Sequence, residues 1–291
     1  CGLGTSEIAR AFLQTEATVA QRIVRAKRVL AEARVPFEVP QGAERAPRLA
    51  SVLEVVYLVF NEGYSASQGE AWTRGELLAE ALRLARQLVA IAPGEPEVLG
   101  LAALLELQAS RLPARHDAQG RPVLLEQQDR GRWDRLLVRR GLALREAAAQ
   151  AAQRLRRREG AYALQAAIAA EHARASSAAH TDWRAIVGLY AQLEAAWPSP
   201  VVQLNRAVAM SRVPGADLAE ALALVQAIAA DPRMAGYPWL PSVQGDLLQR
   251  LGRRAEARVA FAEAARRAGN AADRGLMEQR AAALAEGGPG G

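Results

Sequence analysis

TSEIARAFLQTEATVAQRIVRAKRVL, residues 5–30, decides how the chain begins to fold. Two short amphipathic stretches are joined by a polar break over residues 14–17. Thr5 or Ser6 is placed to cap a first helix by accepting a free backbone N–H, and Glu7 sits against the positive end of its dipole. Ile8, Ala9, Phe12 and Leu13 recur at spacings of three and four, which gathers them on one apolar face. Thr18 is the expected cap of the second helix. There Val19, Ile23, Ala26 and Leu30 form a buried stripe, while Gln21, Arg22, Arg25 and Arg28 face outward. This is the layout of a helix-turn-helix whose second helix enters a DNA major groove. Any amphipathic hairpin with a solvated basic face has the same spacing, so the pattern leaves both readings open.

Composition sets the frame around this hairpin. With 291 residues, 51% of them hydrophobic, the chain can bury one large core or two moderate ones. Aromatic residues make up only 5%, and Ala, Leu and Arg dominate. These three residues lose little side-chain freedom in a helix. Alternating β-branched stretches are almost lacking, so the expected fold is all-α. The single cysteine excludes an intramolecular disulfide and suits a reducing cytoplasm. No run approaches the roughly 20 apolar residues of a membrane span, so no membrane association is expected. The net charge of +6 favours nucleic acid, although a preference for Arg over Lys also follows from a GC-rich genome.

Residues 35–48, VPFEVPQGAERAPR, combine prolines and a glycine and are expected to form a linker that closes a first unit at residues 1–34. A helical domain is expected over 49–160. It opens with SVLEVVYLVFNEGYSAS and a turn near Gly63, and its helical patterns run over 74–92, 95–111, 131–157 and 160–174. HDAQGRPVLLEQQDRGRWD forms a polar loop with an extended run at Val123 to Leu125. Over 161–291 the texture changes: Pro198 and Pro232 close Ala- and Leu-rich helices, and Glu220-Ala221 recurs as Glu256-Ala257. A period of about 35 residues built from paired helices predicts tetratricopeptide-like repeats. Three copies are expected, over 161–198, 199–232 and 239–271, with Leu251-Gly252 where small residues let two helices approach.

Carboxylates at Glu62, Glu126, Asp129 and Asp134, and imidazoles at His116, His172 and His180, are the raw material for acid–base chemistry. The patterns that make such chemistry specific are missing. Glu171-His172 has no second histidine at helical spacing, and no phosphate-binding glycine loop, nucleophile elbow or cysteine cluster is present. We therefore expect neither an enzyme nor a metal or cofactor site. Asn61, Glu62 and Tyr64 at a helix end, with Gln128, Asp129, Arg130, Trp133 and Asp134 in the loop, are expected to form a buried hydrogen-bonded network that fixes helix ends.

The string EIARAFLQTEATVAQRIVRAKRVL resembles region four of the extracytoplasmic-function RNA polymerase sigma factors. The resemblance implies that Thr18, Gln21, Arg22 and Arg25 contact bases and phosphates of the upstream promoter element, with Lys27 and Arg28 on the backbone. It also implies a region-two domain ahead of Cys1, which makes the chain a fragment, and one or two further helices supporting the turn. The strings VLEVVYLVFNEGYSAS, PEVLGLAALLELQASR, LLEQQDRGRWD, YALQAAIAAEHARA, TDWRAIVGLY, PSPVVQLNRAVAM and LLQRLGRRAEA, in this order, are similar to the long C-terminal extension of one subgroup of these factors. That subgroup carries a tetratricopeptide-like domain and generally lacks a neighbouring anti-sigma factor. Promoter DNA, the RNA polymerase core and an intramolecular contact between extension and sigma domains are the partners it implies. Pro113 departs from the subgroup, where the helix end usually continues. Two other readings remain: a tetratricopeptide-type interaction scaffold without DNA binding, and a hydrolase using the 126–134 loop.

Overall fold

The computed structural model describes residues 3–33, 44–65 and 73–285. Among them the chain is all-α, with thirteen α-helices and short 3-10 turns but no strand. The first helix, α1 (Thr5–Ala11), is capped differently from the expectation. Gly4 is its N-cap and donates its N–H to Glu7 Oε2 at 2.6 Å. Neither Thr5 nor Ser6 caps it, because both already lie at or inside the first turn. The chain leaves α1 through Leu13 at φ +51, with Gln14 N–H donating to Ala9 O at 2.8 Å. That left-handed exit brings Thr15 to the start of α2 (Glu16–Ala33), where its Oγ1 accepts the Thr18 N–H at 3.2 Å. Thr18 is thus the residue capped, not the cap.

Residues 35–43 of the expected linker lie outside the described residues. Its last residues belong to α3 (Arg45–Tyr64). Gly63 is not a turn: it remains within α3, where its carbonyl accepts the Arg74 N–H at 2.8 Å. A Cβ there would stand 2.7 Å from Leu78 N in α4 (Gly75–Ile91), so the glycine permits the close approach of the two helices.

The centre of the molecule is α5 (Pro96–Ala109), apolar on all sides, with all but two of its fourteen residues buried. A helix of this kind must be enclosed. It packs against α3, α4, α6 (Arg135–Arg154) and α7 (Ala161–Arg174). Proline at its first position needs no N–H partner and presets φ. Glu106 is the buried charge on this surface: at 1% exposure its carboxylate meets Arg86 of α4 at 2.9 Å and Arg140 of α6 at 3.1 Å. At the other end Glu97 accepts the N–H groups of Tyr162 at 3.0 Å and Ala163 at 3.1 Å, and so caps α7 from a neighbouring helix. Burial raises its carboxyl above the usual range, against those two hydrogen bonds.

The sequence division at residue 160 is not a packing boundary. Leu99 of α5, Ala148 and Ala151 of α6 and Ala163 of α7 share one buried cluster. Beyond it the helices proceed in pairs: α7 with α8 (Trp183–Ala196), α9 (Pro200–Arg212) with α10 (Leu218–Ile228), and α11 (Trp239–Arg250) with α12 (Arg254–Arg267). Each expected repeat span holds one pair, and α13 (Ala271–Ala285) packs on α12. Aspartate caps recur because a short carboxylate reaches free N–H groups: Asp134 opens α6, Asp182 α8 and Asp217 α10. The close approach assigned to Gly252 belongs to Gly245, where a Cβ would meet the Phe261 ring at 2.7 Å. Gly252 instead takes φ +76 to end α11, with Arg253 N–H bonding Leu248 O at 2.9 Å.

Helix α6 ends in the same way, but with Arg156 at φ +51 in the left-handed position. Arg157 N–H bonds Ala152 O at 2.9 Å, so the backbone is fixed there. Replacing this side chain by glycine removes a steric penalty without losing those bonds. Arg156→Gly is expected to raise stability in urea titrations by about 0.5 to 1 kcal/mol.

Candidate functional site

The α1–α2 hairpin exposes the residues expected to meet DNA. Gln21, Arg22, Arg25, Lys27 and Arg28 all lie on the exposed part of α2, and Thr18 is half-buried beside Thr15. Arg28 makes only a solvent-facing pair with Glu32 at 4.0 Å, of the kind worth little. The predicted stripe is covered only at its beginning. Val19 is buried and Ile23 half-buried, whereas Ala26 is exposed and Leu30 is 59% exposed. Helix α1 packs on the first turns of α2, and the rest stands clear. In turn α1 is tied to the body: Glu7 meets Arg74 at 2.8 Å, and Arg74 also lies 3.8 Å from the buried Glu62.

The hairpin borders a cleft made of three cavities that share wall residues. The first, about 420 Å³, lies between α1 and α3 and reaches Tyr162, Trp197, Tyr237 and Asn270. The second, about 570 Å³, is walled by Tyr57, Gln108, Arg111, Gln165, His172 and Tyr190, with Arg10 and Leu13 contributed by the hairpin. The third, about 310 Å³, lies over Glu126, Arg212, Asp246 and Arg280. Its charges compensate one another: Arg212 lies 3.0 Å from Glu126 and 3.2 Å from Asp246, and Arg280 2.9 Å from Asp246.

Beside the guanidinium groups of Arg111 and Arg10, the phenols and the imidazole that line the second cavity are neutral. Burial raises the phenols of Tyr57 and Tyr190, the latter to about 12, and Tyr57 donates to Gln165 Oε1 at 2.9 Å. Burial, followed by the nearby Arg111 and Arg130 charges, pushes His172 down to about 4. Its ring packs edge-on against Trp183, with centroids 5.3 Å apart. A histidine depressed in the folded state takes up a proton more readily when unfolded, so it favours the folded state above its ordinary value of 6.5. Stability is expected to fall as pH drops from about 6.5 to about 4, and His172→Gln should flatten that part of the curve in pH-dependent urea melts.

The residues expected to form one polar network form two groups, and only part of each is buried. Asn61 is exposed, Glu62 joins Arg74, and Tyr64 accepts a bond from Arg111 at 2.8 Å while Arg115 stacks 3.7 Å over its ring. In the loop, Gln128 holds the Val123 carbonyl at 3.2 Å. Asp129 is not a buried member of the network: it is exposed and caps the short turn by accepting Gly131 N–H at 2.8 Å. Arg130 reaches instead to the carbonyls of His172 and Ala175 and to Thr181, and lies 5.0 Å over the Trp133 ring. Asp134 is exposed and caps α6, which therefore starts at Arg135, later than the predicted residue 131. Trp133→Ala should lower stability by about 3 to 5 kcal/mol, since its ring is buried. Asp129→Asn should lower it by about 1 kcal/mol or less, the loss of an exposed cap, and paired denaturation curves compare the two.

Among the described residues no three of His, Cys, Asp and Glu gather as a metal site, and no helix is long and apolar enough to cross a membrane. Sequence reasoning missed the walls of the cleft. Gln108 and Gln165 interrupt otherwise apolar helix faces, which is the signal that could have found them.

Residues 48–149 match a family described as a family of unknown function, DUF6596. The chain is also similar to an uncharacterized protein of Rhizobium meliloti (strain 1021), 49% identical over 272 residues. That alignment covers 94% of this chain and 62% of the relative, so the chain spans less than two thirds of the relative's length. No solved structure matches it.

Proposed function

We propose that the chain is the DNA-reading and regulatory part of an extracytoplasmic-function sigma factor acting in the cytoplasm. In this reading α2 engages the upstream promoter element, the hairpin contacts the RNA polymerase core, and α3 to α13 form the regulatory extension. The observation that carries it is the state of α2: five of the six residues implied to meet DNA are exposed, on a helix that stands clear of the body beyond its first turns. The contact of Glu7 with Arg74 supports an extension that acts by holding the hairpin within one polypeptide. The mechanism is positioning rather than catalysis. A docked hairpin and a released one would differ in how well α2 reaches the groove, and phosphate contacts would supply affinity while Arg22 or Arg25 reads a base edge.

Selection of binding sites from a random duplex library, followed by anisotropy titration of the selected duplex, tests this. Arg22→Ala or Arg25→Ala should weaken binding by about 1 to 3 kcal/mol where the arginine meets a base. Lys27→Ala should weaken binding evenly across sequences and reduce the salt dependence. A library from which no sequence is enriched, or unchanged binding in all three variants, would sink the DNA-reading role and leave an interaction scaffold with a packing hairpin.

A further inference from the structure

We propose that the second cavity of the cleft binds a small organic monoanion, one acidic group on an apolar body of about ring size. The argument starts from Arg111. Its guanidinium donates to Tyr64 Oη at 2.8 Å and to Gln108, neither of them a carboxylate, and its Nε is buried without a hydrogen-bond partner. Among the described residues no carboxylate pairs with it. A guanidinium that has lost water on one side and faces no negative charge is an incomplete arrangement, because a desolvated cation needs a counter-charge. The remaining titratable walls do not supply one, since Tyr57, Tyr190 and His172 are all neutral at physiological pH.

The neighbouring cavities show what a charge-matched arrangement looks like in this molecule, even though Arg212 Nε is buried without a partner as Arg111 Nε is. In the third, Arg212 and Arg280 are matched by Glu126 and Asp246. In the first, Glu7 and Glu62 share Arg74. Of these three cavities, the middle one sets a guanidinium without a carboxylate partner among the described residues against apolar walls, here Leu104, Ile168, Leu193 and Val202. Its volume of about 570 Å³ lies in the range of small-molecule sites. Arg10 also lines the space, but the charge left without a carboxylate is that of Arg111, which sets one acidic group on the ligand, and the apolar walls set its body. Gln165 and Asn205 offer amides that orient it. This site stands on its own geometry and does not depend on the DNA-binding reading.

The probe is 1-anilinonaphthalene-8-sulfonate, a fluorescent aromatic monoanion, compared with N-phenyl-1-naphthylamine, its uncharged counterpart. The parent chain should bind the anion saturably at one site, about tenfold more tightly than the neutral probe. Arg111→Met should remove that preference while leaving the neutral probe bound. Asn205 is exposed on α9 and lines the cavity, so its variants do not depend on refolding the Arg111 contacts. Asn205→Trp should block both probes by filling the space. Asn205→Glu should weaken the anion alone by placing a carboxylate in the space that Arg111 faces. Equal affinity for the two probes in the parent, or anion binding untouched by both Asn205 variants, would overturn the proposal.

Discussion

Glu106 is the interaction on which the rest of the arrangement depends. A helix that is apolar on every side has no face of its own, and dispersion and area burial alone would let it rotate among its neighbours. One carboxylate removes that freedom. Only one rotation of α5 about its axis lets Glu106 meet Arg86 of α4 on one side and Arg140 of α6 on the other. The two arginines keep part of their guanidinium surface in solvent, so the pair is anchored from the outside inward. Such a pair contributes more to register than to net stability, since desolvation offsets much of its attraction.

Once α5 is oriented, the next elements follow from its two ends. Glu97 presents its carboxylate to the start of α7, and Gly100 lets that helix come close enough that a Cβ would stand 2.5 Å from Ala163 N. Gly160 leaves room for the capping carboxylate, with which any Cβ at that position would collide. The direction of α7 is therefore set by α5, and α7 begins the series of paired helices and lines the cleft through Gln165, Ile168 and His172. The cavity around Arg111, at the end of the same helix, is in this sense a product of the orientation that Glu106 imposes.

The all-helical class and most helix spans were legible in the sequence because periodicity and composition report local preference directly. What was not legible depends on choices between equivalent local signals. Thr15 and Thr18 both suit an N-cap, and the decision falls to Leu13, whose left-handed exit sets where α2 begins. Gly245 and Gly252 are alike as letters, yet one admits the Phe261 ring and the other reverses the chain. The stripe on α2 was readable as a pattern, but whether anything covers it is a tertiary fact. Asp129 and Arg130 are sequence neighbours that turn to different partners, so adjacency suggested one shared network that the loop does not form. The cleft was least legible of all, because Tyr57, Gln108, Gln165, Tyr190 and Asn205 come from five different helices.

The first cavity also joins parts of the chain that lie far apart in sequence: Leu3 and Glu7 share its wall with Asn270 and Asp273. In an open stack of helix pairs each unit meets only its neighbours, so the ends fray first and unfolding proceeds inward. Here the beginning of the chain lies beside the start of the last helix, and loosening either one opens a space that the other helps to enclose. Leu3 and Glu7 thus complete a wall begun at the start of α13, so a change at Asn270 or Asp273 alters a space that the hairpin also borders.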